Sequence, residues 1–412
     1  MKYEISTYQK IFVNMAKNYV LVYPEHSFQF YFDDFTNPLI GKSKSIVKVK
    51  FKKSKKVFDK IFKEGSIGLG ECYCEGLIDV LDKDYMYFLL MIVRTVYDKK
   101  LQSRLSFADK MHIIKAKAIS KFFTNHSQCK DINSHYSLNE WFASDEDANK
   151  FYFYWLKSKY IQYTCAKWDK DTKTLEQAQI NKFNFYAKRL GISKKSKGKK
   201  MLDLGCGWGG LMFYFAEHFG VDCTGITLST AQSDYIKKEA KKRKLNHLVN
   251  VKNINVHDMQ GEYDFIISVG LLEHIDNYND LYKKTSKHLK KRGKALFHAM
   301  FHEDAHDDPD PFLSKYIFPG GCVTNINKSI KIFKKYFKSV DRNNLPDLSY
   351  PKTLTCWYKN FCKHEFEIRK LLKNKSKCKD IDFAIRVFKH YLMLSYCGLT
   401  ANGLVCNILV EK

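Results

Sequence analysis

From Lys200 to Met300 short apolar runs alternate with longer amphipathic ones, and this alternation limits the fold more than any other feature of the chain. KKMLDL reads as a strand, and LMFYFAEHFG reads as a helix stopped by Gly220. VDCTGITL, VKNINV, YDFIISVG and KALFHAM read as further strands, with TAQSDYIKKEAKKRKL and LYKKTSKHLKK as helices between them. Repeated βα units predict an α/β fold built on a parallel, doubly wound sheet.

The first strand runs into a loop, MLDLGCGWGGL (201–211), that carries Gly205, Gly207, Gly209 and Gly210. Gly205-x-Gly207-x-x-Gly210 formally matches a dinucleotide fingerprint, which alone is a weak signal. A dinucleotide site needs an acid at the end of the second strand to hold the ribose hydroxyls. Here that strand ends Gly225-Ile226-Thr227-Leu228-Ser229, and its acid, Asp222, sits at the start. No Gly-Lys-Ser/Thr follows the glycines, so a P-loop is excluded. Asp203, just before the first glycine, suits a ligand with an ammonium group and no phosphate. S-adenosylmethionine (SAM) is such a ligand, and the loop in its βαβ setting favours a methyltransferase.

Composition narrows the partners. Lys and Arg outnumber Asp and Glu by 70 to 44, a net charge of +26. Such a surplus suits a polyanion, nucleic acid or an anionic membrane, but equally a chain whose solvated faces are all basic. None of the 12 cysteines forms a CxxC pair, so no zinc site or disulfide framework is readable, as expected in a reducing cytosol. The N-terminus, MKYEISTYQK, lacks a signal-peptide core, and the apolar run Met86–Val93 is too short to span a bilayer. The expectation is a cytoplasmic protein, at most bound to a membrane surface.

The first hundred residues alternate like strands. In IVKVKFK, Val47, Val49 and Phe51 share one face and Lys48, Lys50 and Lys52 the other. The plain reading is a half-buried strand; the functional one is a cationic face resting on phospholipid headgroups. A short helix and a glycine-rich turn, SIGLGECYCEG, follow, and residues 84–123 read as helical. The polar stretch that begins TNHSQCKDINSH reads as linker. The division is residues 1–123 as an N-terminal domain, 124–145 as linker and 146–412 as the catalytic domain.

The motifs together resemble the cyclopropane-fatty-acyl-phospholipid synthases and their mycolic-acid relatives. GLGE-x-Y-x-x-G (68–76) is similar to the family's GLGESYMDG, and YTCA (163–166) to its YSCAY, with Lys167 replacing the usual aromatic. LEQAQ, LDLGCGWGGL, GITLSTAQ, SVGLLEH, KYIFPGG and YPKTLTCW follow in family order. The resemblance implies a Rossmann-like SAM-dependent methyltransferase domain with a smaller α+β N-terminal domain that docks on lipid. It implies that Asp203, Gly205 and Gly207 hold the methionine end of SAM, and Thr227, Leu228 and Gln232 the ribose. Asp258 and Met259 would contact the adenine, and Tyr163 and Thr164 would close over the cofactor.

The implied reaction moves a methylene group from SAM to the double bond of an unsaturated phospholipid acyl chain, through a carbocation. A bound bicarbonate then takes a proton from the new methyl group so that a ring closes. Its implied ligands are Cys165, Glu273, His298, Tyr350 and the backbone at Met300. Each has a plainer reading: a surface helix start for Glu273, a core histidine for His298, a loop aromatic for Tyr350 and a small buried hydrophobe for Cys165. The chain departs from the family at HYLMLSYCGLTANG, where Ser395 stands in the place of a cysteine and Cys397 lies two residues on. The implied partners are an unsaturated phospholipid and an anionic membrane surface, with no nucleic acid and no metal; a homodimer is compatible. The rival readings are a methyltransferase making methyl-branched chains, a small-amine N-methyltransferase, an inactive lipid-binding protein and an RNA methyltransferase. For the last, no RNA-binding module is readable.

Overall fold

The computed structural model describes residues 6–33, 35–124, 142, 144–275, 277–303, 310–321, 323–401 and 405–410, with side chains outside 116–124, 324 and 405–410. Their contacts form two units.

The first unit is more helical than strand-like alternation suggests. Helix Thr7–Val22 opens with a capping box between Ser6 and Gln9 and buries Ile11, Phe12, Met15, Ala16 and Tyr19, a helical spacing. Three short strands, β1 (Ser27–Tyr31), β2 (Ile46–Phe51) and β3 (Ile78–Val80), form a sheet in that order. Along β2, Val47, Val49 and Phe51 are buried while Lys48 and Lys50 are exposed, so the expected two-faced strand is present. Phe12, Phe51 and Phe58 meet with ring centroids 4.9–5.7 Å apart and anchor this core. Helices Ser54–Glu64, Asp82–Tyr97, Lys99–Arg104 and Phe107–Thr124 complete the N-terminal part.

SIGLGECYC is a helix, Ser66–Cys74, and not a turn. Its glycines serve close packing. A Cβ on Gly68 would lie 2.4 Å from the Lys60 carbonyl oxygen, and one on Gly70 would lie 2.2 Å from the Phe312 ring. Phe312 belongs to helix Pro311–Tyr316, which joins this unit together with helix Ile381–Ala401. Burial raises the Glu71 carboxyl, but bonds from Lys315, Lys60 and the Tyr316 hydroxyl outweigh it and hold it at about 2. One cut near residue 124 therefore does not separate the units, because the chain returns to the first unit twice. Most of the expected linker, 124–145, lies outside the described residues.

The second unit holds an eight-stranded sheet of order β10-β11-β8-β7-β4-β5-β6, with β9 paired to β8. The strands are β4 (Lys200–Leu204), β5 (Asp222–Thr227), β6 (Val249–Asn253), β7 (Tyr263–Val269), β8 (Leu289–His302), β9 (Thr324–Asn325), β10 (Asp341–Asn344) and β11 (Val405–Val410). Strands β4 to β8 run parallel, and β11 lies antiparallel between β8 and β10. Apolar clusters cover both faces, so the expected doubly wound α/β sheet is present. Strand order reverses between β4 and β7. In open α/β sheets such a switch point opens a crevice at the carboxyl ends of the strands.

Candidate active site

A cavity of about 300 Å³ lies at that switch point. Its wall includes Asp203, Gly205 and Gly207 from the loop after β4, and Thr227, Leu228 and Gln232 after β5. Tyr163 and Thr164 complete the expected cofactor residues that line it. Gly205 and Gly207 have φ of +74° and +54°, which side-chain-bearing residues rarely adopt. The loop thus turns sharply and leads into helix Gly210–Phe219. After β5 the backbone braces itself. Thr227 donates its hydroxyl to Gln232 Oε1 at 2.7 Å, and the Ser229 hydroxyl caps helix Thr230–Lys242 through the Gln232 N–H. Asp258 and Met259 do not line the cavity. The stretch just before them, Asn255, Val256 and His257, does, and Met259 instead packs into the core.

Asp203 is 3% exposed, and burial pushes its carboxyl up to about 7, partly offset by the charge of Lys182. His274 also lines the cavity, and burial lowers its imidazole to about 4, so it is neutral.

The remaining expected residues include Glu273, just after β7, and His298, on β8. Glu273 lies in a buried 3₁₀ turn, Leu272–His274, not on an exposed helix. Its Oε1 accepts the Met300 N–H at 2.7 Å, while Oε2 is buried with no partner among the described residues. Burial pushes this carboxyl up to about 7 against the bond from Met300. The Met300 N–H, expected to serve an anion, is thus already engaged by Glu273. His298 is buried, and desolvation, with the Lys182 charge, lowers it to about 3, leaving a neutral ring. Its Nδ1 is hydrogen-bonded to the Tyr186 hydroxyl. Cys165 and Tyr186 belong to one apolar cluster, against which Met300 and Tyr350 pack. The Cys165 thiol is turned to the Ala166 carbonyl at 3.3 Å. Tyr350 lies in the first turn of helix Ser349–Lys363, not in a loop. That helix is tied to the YTCA segment: Thr353 Oγ1 accepts the Ala166 N–H and Ser349 Oγ the Trp168 N–H, both at 3.1 Å.

Sequence reasoning missed Lys182 and Tyr186, which share helix Leu175–Leu190 with Gln179. Their spacing of i, i+3 and i+7 puts all three on one face, so the signal was available. Trp208 and Gln162, also in the cavity wall, were missed as well. Ser395 and Cys397 sit on helix Ile381–Ala401, so two residues turn them about 200° apart. Cys397 does not take the place of Ser395, which lies in the first unit.

A family profile described as mycolic acid cyclopropane synthetase matches residues 124–406. A cyclopropane-fatty-acyl-phospholipid synthase from Escherichia coli strain K12 is 30% identical over 308 residues, 74% of this chain and 74% of that enzyme. An (S)-coclaurine N-methyltransferase from Papaver somniferum is 29% identical over 241 residues, 57% of this chain and 67% of its own. A solved cyclopropane synthase from Mycobacterium tuberculosis superposes with a TM-score of 0.59 at 22% identity, over 69% of this chain and all of its own.

Proposed function

The chain belongs to the mycolic acid cyclopropane synthetase family, and from that premise we propose that it transfers a methylene group from SAM to the double bond of unsaturated acyl chains in phospholipids. The observation that carries the reading is Asp203, a buried carboxyl in the cavity wall beside the glycine loop, where β5 ends without an acid. This arrangement suits a ligand with an ammonium group and a sulfonium, and gives a dinucleotide ribose no partner. Asp203 and the loop glycines take the methionine end, Thr227, Leu228 and Gln232 the ribose, and Asn255 to His257 the adenine side. Tyr163 and Thr164 form the cover.

Bound SAM supplies an electrophilic methyl carbon. An alkene is a weak nucleophile, so the protein must align it with that carbon and exclude water. The new C–C bond forms as the C–S bond breaks, and a proton must then leave the transferred methyl group for a ring to close. Glu273 fits a role at that step: its Oε2 is a buried oxygen without a partner among the described residues, and its proton sits in balance near neutral pH. Neutral His298 and the Tyr350 hydroxyl add hydrogen-bonding groups. A bicarbonate held by Glu273, His298, Tyr350 and Cys165 would supply a weak base there; the Met300 N–H, given to Glu273, would not be a ligand. Ser395 keeps a cysteine's size and affects rate rather than outcome.

Lipid over amine as the acceptor is supported by the length of the sequence alignment alone. The lipid enzyme aligns with 74% of this chain and the amine enzyme with 57%. The first unit offers a surface for peripheral docking from the cytoplasmic side. Helix Phe107–Thr124 exposes Phe107, Met111 and Ile114 on one face, beside exposed Lys115, and β2 exposes Lys48 and Lys50. No helix among the described residues is long and apolar enough to cross a membrane.

The test is expression in a host whose lipids lack rings, followed by fatty-acid analysis. The reading expects saturated products one CH₂ heavier than the host's monounsaturated chains. Methyl-branched chains would replace the ring with the rival product, and unchanged lipids with methylation of an added benzylisoquinoline amine would move the acceptor to amines.

A further inference from the structure

Lys182 is a fully buried lysine in the second unit. An ammonium cut off from water costs several kcal/mol unless hydrogen bonds and a counter-charge replace its solvation. Here Nζ donates to Thr164 Oγ1 at 2.7 Å and to Gln162 Oε1 at 3.2 Å, and both residues line the cavity. One turn earlier on the same helix, Gln179 Nε2 donates to the Thr164 carbonyl at 3.2 Å. Thr164 is also held from the far side. A Cβ on Gly270 would lie 2.8 Å from Thr164 Cγ2, so only glycine leaves room there. Asp203, in the same wall, feels the field of Lys182.

We infer that Lys182 is a positioning residue that fixes the Gln162–Thr164 wall of the cavity and draws Asp203, in the same wall, toward the charged form that a cationic ligand requires. The inference rests on the cofactor reading above and deepens it. Burial works against the Asp203 charge and Lys182 works for it. The Cys206 and Cys223 thiols, which feel the Asp203 charge, are pushed well above their ordinary values by burial, and His274, also in the cavity wall, is neutral. His298, on β8, also feels Lys182 and stays neutral. Among these groups Lys182 supplies the positive charge. A cationic cofactor therefore meets a carboxyl that Lys182 has drawn part of the way to the carboxylate, at the expense of some repulsion from Lys182 itself. Its net effect on affinity is favourable only because Asp203 would otherwise be protonated at neutral pH.

The test is calorimetric titration of the full-length protein with SAM between pH 6 and 8.5, for the unaltered protein, Lys182→Met and Lys182→Gln. For the unaltered protein, affinity should rise with pH through about 7, as Asp203 ionises. In both variants that rise should move to higher pH, and a midpoint higher by about one pH would lower affinity at pH 7 by about fivefold. Lys182→Gln keeps hydrogen bonding to the wall, so a loss it shares with Lys182→Met belongs to charge. Asp203→Asn should remove the rise through about 7, leaving the titration of the ligand's own ammonium, and, combined with Lys182→Gln, show no further loss. A uniform loss of affinity with an unmoved midpoint would reduce Lys182 to a structural residue and overturn the inference. Should Lys182→Met fail to give a cooperative melt, Lys182→Gln and the double variant still decide the question. If the unaltered protein binds no SAM, the cofactor reading fails and the inference falls with it; binding with identical profiles in all variants sinks the inference alone.

Discussion

Asp203 and Glu273 are buried carboxyls in the same unit, both pushed up to about 7 by burial, yet their surroundings differ. Asp203 opens on the cavity beside a glycine loop and has a buried ammonium nearby. Glu273 is held by one backbone N–H and keeps one oxygen without a partner among the described residues. The contrast teaches that burial alone raises a carboxyl, while the neighbours decide its use. A nearby cation draws the group toward the carboxylate that binds a cation. An unpaired oxygen leaves a group that can hold or pass a proton.

The largest expected effect separates the two acids by kinetics. Glu273→Gln should lower kcat by about 100-fold or more, the range of a lost acid–base group, while SAM affinity changes little. An active Glu273→Gln enzyme would break the contrast at once. Asp203→Asn should do the reverse, weakening SAM by about 10-fold through loss of a charge-assisted bond, with kcat at saturation within a few-fold. Equal losses of kcat in both variants would make the two acids one machine.

The cavity acid was legible in the sequence because its signals are local. Asp203 stands two residues before the first glycine, and the βα period around it places the loop at a strand end. The second centre was legible only through resemblance. Glu273 and His298 are 25 positions apart and come to neighbouring stretches, just after β7 and on β8, because the two strands pair in register, Val269 beside His298, with Glu273 bound to the Met300 N–H. No local pattern states that the Met300 N–H is taken by Glu273, or that Tyr186 faces His298. The glycines of SIGLGECYC misled for the same reason: a turn and a tightly packed helix both call for glycine, and only Lys60 and Phe312, outside the segment, decide between them. Lys182 was hidden by habit, since a lysine on a basic chain is normally solvated.

A smaller effect sharpens the second centre. Tyr186→Phe removes the hydroxyl bonded to His298 Nδ1 and frees the ring, and kcat should fall by about tenfold with SAM affinity intact, as for other groups that orient a catalytic partner. Loss of SAM affinity without loss of kcat would assign Tyr186 to the cavity instead.

Stability carries the sign of both acids. Each folded value lies above the unfolded one of about 4, so the ligand-free protein takes up protons on folding between about pH 4 and 7. The stability this gives is present at the acid end of that window and is lost as pH rises through about 7. In thermal melts at pH 8, Asp203→Asn without ligand should therefore be as stable as the unaltered protein or more so. A loss of several degrees would mean that the carboxylate is stabilised by more than Lys182.

The smallest effect on this contrast should come from the first unit. Replacing Phe107, Met111 and Ile114 by serine should reduce co-sedimentation with anionic vesicles severalfold while SAM affinity stays unchanged. Altered SAM affinity would show that this face bears on the cavity.

The central claim, that a carbon passes from SAM to an alkene and loses a proton beside Glu273, is met most directly by an isotope measurement. The full-length protein is given SAM deuterated in its methyl group and vesicles of a monounsaturated phospholipid, and the acyl products are weighed by mass spectrometry. The expected product is a ring that has lost one methyl deuterium to water. Retention of every deuterium, in a methyl-branched chain, would contradict the claim.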